Sequence, residues 1–306
     1  MTLQTLIKRN IKVYFKDKGV FFPSLITPLI LLVLFVTFLK NVYIDSLKMQ
    51  LPESIVLSKT LLNGFAGSWL ISSLLATSCI TIAFCANMVM VQDKVNGNFK
   101  DLTIAPIKIS TLNLSYYIAT AIVTLLICYV ALFVGLFYLS FVGFYLSFLD
   151  VLLTFVDVFL LVLFGTALSS LVCRFLKSQG AISAVASLVS TIYGFICGAY
   201  MPISQFGKTL QNILMFFPGT YGTGLIRKHM TRGIINEFAK NGIGNQTTEA
   251  ISKSFDLKLT FFNNNVSELA MYLVLISTIC VLVLIFLVLN YKIKKVRHQH
   301  KIKTMS

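Results

Sequence analysis

Asp150 and Asp157 are the carboxylates best placed for unusual chemistry, because both lie in a stretch of otherwise apolar residues. Their spacing of seven residues places them on nearly the same face of a helix. A carboxylate in such surroundings is costly and usually faces protein or water rather than lipid. Two roles are open for Asp157. It is either a proton relay or a structural acid satisfied by neighbouring hydroxyls or by a basic loop residue.

Sequence patterns of enzymes are almost absent. The three histidines form no H-E-x-x-H pair, and there is no G-x-S-x-G motif and no carboxylate cluster with metal-ligand spacing. Gly207-Lys208-Thr209 resembles the end of a phosphate-binding loop, but that pattern requires a glycine where Pro202 stands. We therefore expect no catalytic, cofactor-binding or metal-binding residues, and the chain is not expected to be an enzyme.

The composition indicates an integral membrane protein. Of the 306 residues, 57% are hydrophobic and only 12% are charged, about half the charged fraction of soluble domains. The net charge of +15 comes from basic residues near the chain ends and in loops, where anionic lipid headgroups attract them. A basic stripe interleaved with aromatic residues is not present, so nucleic acid is not an expected partner.

Six apolar stretches approach the roughly 20 residues that a membrane-spanning helix needs. Their approximate bounds are 21–39, 67–91, 112–137, 150–173, 180–200 and 269–291. The basic residues of short loops fall mainly on the side that holds both termini, which predicts cytoplasmic termini. The fold class is thus an all-α integral membrane protein with six spans, forming a single transmembrane domain over residues 1–306.

Residues 1–18 predict an amphipathic helix on the membrane surface. Its apolar face holds Leu3, Leu6, Ile7, Ile11 and Tyr14, and its basic face holds Lys8, Arg9, Lys12 and Lys16. In the fifth span, Gly194 and Gly198 form a small-x-x-x-small pair that would let another helix approach closely.

The polar loop 92–108 interrupts the hydrophobic pattern after the second span. Phe99 and Leu102 have the spacing of neighbours on one helix face, and Pro106 ends the short helix that they predict. Such a helix is suited to docking a soluble partner, although the residues alone are equally consistent with an ordinary solvated loop.

The same loop contains an acid, a glycine a few residues later, a leucine and then a Pro-x-basic sequence. These residues are Asp93, Gly97, Leu102, Pro106 and Lys108. Their order resembles the loop of type-2 ATP-binding-cassette (ABC) exporter permeases, in which the acid is commonly glutamate. The segments 198–203 and 217–221, each with a proline, are similar to the family's segment after the fifth span. The polar segment 232–267 is longer than in compact members.

The resemblance implies a permease that forms a homodimer or pairs with a related permease, and that binds two copies of a cytoplasmic ABC ATPase. ATP and magnesium would be bound by that ATPase and not by this chain. Segment 201–268 would be extracellular and would contain short re-entrant helices. The residues that would couple to the ATPase are Asp93, Asn96, Gly97, Phe99, Asp101, Leu102 and Pro106.

The implied function is ATP-driven export of an amphipathic or hydrophobic substrate, such as a drug, an antimicrobial peptide, a lipid or a lipid-linked glycan. Trp69, Phe195 and Tyr200 are the aromatic residues expected along the substrate path. The Lys-, Asn-, Ile- and Phe-rich composition suggests a bacterial cell membrane. The alternative is an ion-coupled secondary transporter that uses Asp157, which would normally show an internal repeat; no such repeat is visible.

Overall fold

The computed structural model describes residues 2–52, 55, 57–104 and 107–303. Within them, the chain forms twelve α-helices and one two-stranded antiparallel hairpin. The helices are α1 (Leu3–Lys16), α2 (Lys18–Leu34), α3 (Lys40–Lys48), α4 (Lys59–Val95), α5 (Asn98–Ile104), α6 (Ile109–Val142), α7 (Phe148–Phe175), α8 (Gln179–Ile196), α9 (Lys208–Leu214), α10 (Pro218–Lys240), α11 (Asn245–Ser254) and α12 (Glu268–Lys303). The strands are β1 (Thr260–Phe261) and β2 (Asn264–Asn265).

Five helical segments of the described chain are long and apolar enough to cross a membrane. They are Lys18–Lys48, Lys59–Val95, Ile109–Val142, Phe148–Phe175 and Glu268–Asn290. The first joins α2 to α3 through a π-helical turn, Phe35–Leu39. In α8, the apolar part Ser187–Ile196 is shorter. The all-α membrane fold is therefore confirmed, whereas a sixth span at 180–200 stays a prediction.

The long helix α4 is the centre of the bundle. It packs against α2, α6, α7, α8 and α10, and nearly all of its side chains between Leu61 and Val91 are buried. Many of these side chains are serines and threonines that bond to carbonyls of their own helix, as Thr77 does to Ser73 O at 3.0 Å. Small side chains with satisfied hydroxyls allow neighbouring helices to approach closely in a membrane.

Two ends of the bundle are named here by residues of α4. The Asp93 end holds the C-terminal end of α4 together with α1 and α5. The Trp69 end holds the N-terminal half of α4 and the polypeptide between α8 and α12, which reaches it through Arg227 and Phe255.

The helix α10 differs from the short re-entrant helices expected between the fifth and sixth spans. It starts with Pro218 in its first turn, where a backbone N–H would have no partner within the helix, so the missing N–H of proline costs nothing. The helix is 23 residues long and ends at Lys240. Its first half is buried against α4 and α7. The chain leaves the helix just before Gly242, which has a positive φ angle.

Candidate functional site

Asp93 is the most highly connected polar residue at its end of the bundle. Its side chain is only 5% exposed. Oδ1 accepts hydrogen bonds from Arg9 Nη2 at 2.9 Å and Asn98 Nδ2 at 3.2 Å, and Oδ2 accepts from Tyr116 at 2.5 Å and from Arg9 Nη1. Because both carboxylate oxygens are occupied, Asp93 acts as a joint between α1, α4, α5 and α6.

The sequence predicted that Arg9 lies on a basic face toward lipid headgroups. In the structure, Arg9 instead binds Asp93 in this joint. The hydrogen bond to Asp93 raises the pKa of Arg9 above its ordinary value, although burial lowers it, so the guanidinium keeps its charge. The adjacent Asn10 is buried and donates to Ser115 at 3.1 Å. One further turn along α1, Tyr14 bonds to Ser24 at 2.8 Å. Helix α1 is thus fastened to α2, α4 and α6 by buried polar contacts.

Helix α5 follows α4 after a sharp turn at Gly97. The φ angle of Gly97 is +86°, and the space around its Cα is open. The glycine is therefore needed for its backbone conformation and not for close packing. Asn96, the C-cap of α4, is exposed. Pro106, the predicted stop of this short helix, lies outside the described residues.

The apolar face of α5 does not point outward. Phe99 and Leu102 are half-buried and pack against the core of the bundle, and their part in coupling to an ATPase stays a prediction. The helix lies along the bundle, so its apolar side is covered by the chain itself. The exposed residues of α5 are Asn98, Lys100, Asp101 and Ile104.

Trp69 is buried, so it is not part of an accessible substrate surface in this structure. Its ring packs against that of Tyr43 in a tilted arrangement with centroids 4.4 Å apart, and the guanidinium of Arg227 lies 4.4 Å from its centroid. Its Nε1 donates to Phe255 O at 3.0 Å. Arg227 also pairs with the buried carboxylate of Asp256 at 3.3 Å. This cluster joins α4, α10 and the segment after α11.

Phe195 and Tyr200 form an edge-to-face pair with centroids 5.1 Å apart. Phe195 is 48% exposed. A Cβ atom on Gly194 would lie 2.2 Å from the ring of Tyr200, so this glycine seats an aromatic ring and not a neighbouring helix. Gly198 lies beyond the end of α8 with a φ angle of +69°. The predicted small-x-x-x-small pair is therefore not a helix-packing motif here.

Asp157 lies in a buried network between α7, α10 and α12. His229 Nδ1 is 2.5 Å from Asp157 Oδ2, and Tyr272 donates to Asp157 Oδ1 at 2.6 Å. His229 Nε2 is 3.2 Å from Glu268 Oε1. Arg232 connects Glu268, at 3.5 Å, with Asp150, at 3.4 Å. Asp150 caps the start of α7 together with Ser147.

An apolar cavity of about 220 Å³ lies between α4, α7 and α8. Its lining includes Ile80, Phe84, Phe164, Leu168, Ile192 and Tyr193. Such a cavity admits an apolar group and offers almost nothing to an ion.

The comparison with protein families matches residues 1–231 to the membrane-protein family described as "ABC-2 type transporter". No curated protein matches the chain. The matched part contains the Asp93 joint, α5 and the Phe195–Tyr200 pair, and it stops where the long polar segment 232–267 begins. Because the match covers well over half of the 306 residues, the chain belongs to the ABC-2 type transporter family.

Proposed function

We propose that this chain is the transmembrane subunit of an ATP-driven exporter that moves an amphipathic or hydrophobic substrate out of a bacterial cell. The energy comes from a separate cytoplasmic ABC ATPase, which binds ATP and magnesium. The observation that carries this proposal is the Asp93 joint. It fixes the exposed helix α5 to α1, α4 and α6 through four hydrogen bonds to one carboxylate.

The outward face of α5 supplies the docking surface for the ATPase. Ile104 is 84% exposed, and Lys100 and Asp101 are exposed beside it. An apolar side chain surrounded by charges of both signs is suited to a cleft on a soluble partner. Asp93 supports this surface from behind and does not contact the ATPase itself.

The apolar cavity beside α8 and the exposed ring of Phe195 support a hydrophobic substrate. The residues that line the cavity include no charged side chain. Drugs, antimicrobial peptides, lipids and lipid-linked glycans share the apolar part that such surfaces hold. Phe195 and Tyr200 are the aromatic residues that line the substrate path in this proposal. Trp69 does not line the path but packs inside the bundle against Arg227 and Phe255.

The working assembly in this proposal has two permease copies, identical or related, and two ATPase subunits, with both permease termini in the cytoplasm. The Asp93 end then faces the cytoplasm and the segment between α8 and α12 faces outward. Asp157 is structural, because its two oxygens already bind His229 and Tyr272 and hold α7, α10 and α12 together.

The decisive experiment is reconstitution of the purified chain in liposomes with and without its ATPase. We expect ATP-dependent movement of a fluorescent hydrophobic substrate only when both proteins are present. Asp101→Lys should reduce the amount of ATPase that co-purifies and should abolish transport, while the melting temperature of the permease stays unchanged.

The matched control is Asp45→Lys, which changes another exposed carboxylate, on α3, and should retain transport. Transport by the permease alone would contradict the proposal. Normal ATPase binding by the Asp101→Lys variant would remove α5 from the docking surface.

A further inference from the structure

A second cavity of about 220 Å³ lies at the Asp93 end, between α4, α5, α6, α7 and α12. Its lining is made of Met90, Lys94, Phe99, Ile109, Asn113, Ser170, Arg174 and Phe286. It differs from the apolar cavity beside α8, because two cationic side chains and two neutral polar ones share its wall with four apolar ones.

The two cations of this cavity have no carboxylate partner among the described residues. Lys94 Nζ donates to the carbonyl oxygens of Cys173 and Arg174, at 3.4 and 3.1 Å. Arg174 donates to Asn290 Oδ1 at 2.7 Å and to Leu289 O at 3.1 Å. An ammonium group has three N–H donors and a guanidinium has five. Each therefore keeps donors and a full charge for a further acceptor.

The nearest acids along the chain do not neutralise them. Both oxygens of Asp93 are occupied by Arg9, Tyr116 and Asn98, and Asp101 is exposed. Half-buried positive charges without a counter-ion are unfavourable. The site therefore has no carboxylate counter-ion among the described residues, and an anion would supply one.

The apolar walls decide which kind of anion fits. Phe286 and Met90 are buried side chains of membrane-spanning segments, and Phe99 and Ile109 continue the same wall. A small soluble anion would contact the cations but would leave this wall uncovered. A molecule with an anionic head and an apolar chain satisfies both parts at once.

We propose that this cavity binds an anionic phospholipid, with the headgroup phosphate at Lys94 and Arg174 and part of an acyl chain against Phe99, Met90 and Phe286. The place agrees with this ligand, because Lys94 and Arg174 lie at the ends of spans α4 and α7. Basic pockets between spans at that depth are suited to anionic headgroups. The bound lipid also supports α5, because Phe99 is part of that helix and also lines the cavity.

The test uses the full-length protein in neutral detergent, titrated with dioleoyl phosphatidylglycerol while its melting temperature and lipid adducts in native mass spectrometry are followed. We expect saturable binding of phosphatidylglycerol. Dioleoyl phosphatidylcholine, which has the same acyl chains, should bind at least about five-fold more weakly. Inorganic phosphate alone should not raise the melting temperature.

Two variants test the two parts of the site. Lys94→Gln removes one charge and should weaken phosphatidylglycerol binding roughly five-fold. Ile109→Trp narrows the cavity with both cations retained and should weaken it by at least as much. Lys59→Gln removes the same charge from the other end of α4 and should leave binding unchanged.

Each contrary result overturns a stated part of the proposal. Equal binding of phosphatidylcholine would show that the site does not require a negative charge. Equal stabilisation by inorganic phosphate would show that the site does not require an acyl chain. A change smaller than two-fold in Ile109→Trp removes the cavity as the site. If Lys94→Gln fails to fold, Ile109→Trp alone still tests whether the cavity is the lipid-binding site. None of these results depends on whether the chain exports a substrate.

Discussion

Arg9 and Asp93 lie 84 residues apart in the chain and form a bidentate ion pair in the fold. Nη1 of Arg9 donates to Oδ2 of Asp93, and Nη2 donates to Oδ1. The pair fastens the first helix to the end of the central one. Arginine is suited to this geometry because its planar fork matches a carboxylate. The fastening is made by side chains and so can be tested by substitution.

Arg9→Ala should lower the free energy of unfolding by about 1.5–3 kcal/mol, because it leaves the buried Asp93 without its cation. Asp93→Ala should have a similar effect. The double variant should lose clearly less than the sum of the two single losses, since neither partner is then left unpaired. Denaturant unfolding of the detergent-purified chain measures all four proteins. Strictly additive losses would show that the two side chains do not act together.

Gly97→Ala should strain the turn before α5. A residue with a Cβ atom pays about 1–2 kcal/mol in the left-handed conformation found there. Export with the ATPase should fall several-fold while expression stays normal. The control is Gly180→Ala, which also has open space around it but lies inside α8, where alanine is favoured. If both variants behaved alike, the backbone conformation of Gly97 would not be the reason for its importance.

Asp256→Ala should be among the most destabilising single changes at the Trp69 end, because it leaves the fully buried Arg227 without a counter-ion. A loss of about 3–5 kcal/mol is expected for such a broken pair. By contrast, Glu249→Ala breaks the exposed pair with Lys253 and should cost less than about 1 kcal/mol. Thermal unfolding of the two variants side by side measures the difference. Similar melting temperatures would contradict the structural role of Asp256.

Asp157→Asn should keep most of the export activity between pH 6 and 8. The amide still reaches His229 and Tyr272 but carries no charge, which weakens these hydrogen bonds, so we expect a loss of stability of about 1–3 kcal/mol. Substrate export measured across this pH range distinguishes the two roles of Asp157. A variant that folds normally but loses the pH dependence of export would support the proton relay instead.

The proposed orientation of the chain predicts where inserted reporters lie. A reporter fused after Ser306 should read as cytoplasmic, and an epitope inserted after Gly244, before α11, should be accessible from outside intact cells. The two measurements are independent of each other and of the substrate. An external reading at Ser306 would reverse the proposed orientation of α12.

The fold class was predictable from the sequence because membrane spans are set by local hydrophobicity. The uncharged run before Asp93 and the polar loop after it mark the end of α4 without any knowledge of neighbours. Gly97 was singled out by the resemblance of this loop to that of a known family, and its positive φ angle is seen only in the structure.

The partners of charged residues were not predictable. Arg9 has the same helical periodicity as Lys8 and Lys12, and only the packing of α1 against α4 and α6 distinguishes it. His229 gave no signal either, because its partners Asp157 and Glu268 are 72 and 39 residues away. Contacts between distant segments depend on tertiary packing, which hydrophobic periodicity does not contain.

The helix α4 has a mechanical consequence. Its 37 residues form a rod about 55 Å long, tightly enclosed along most of its length, with Asp93 near one tip and Trp69 in the far half. Because other helices surround it, α4 resists local bending. A displacement of one end would then move the helix as a unit. In the proposed exporter, a displacement that the ATPase imposes near Asp93 would therefore be carried through α4 to the Trp69 end.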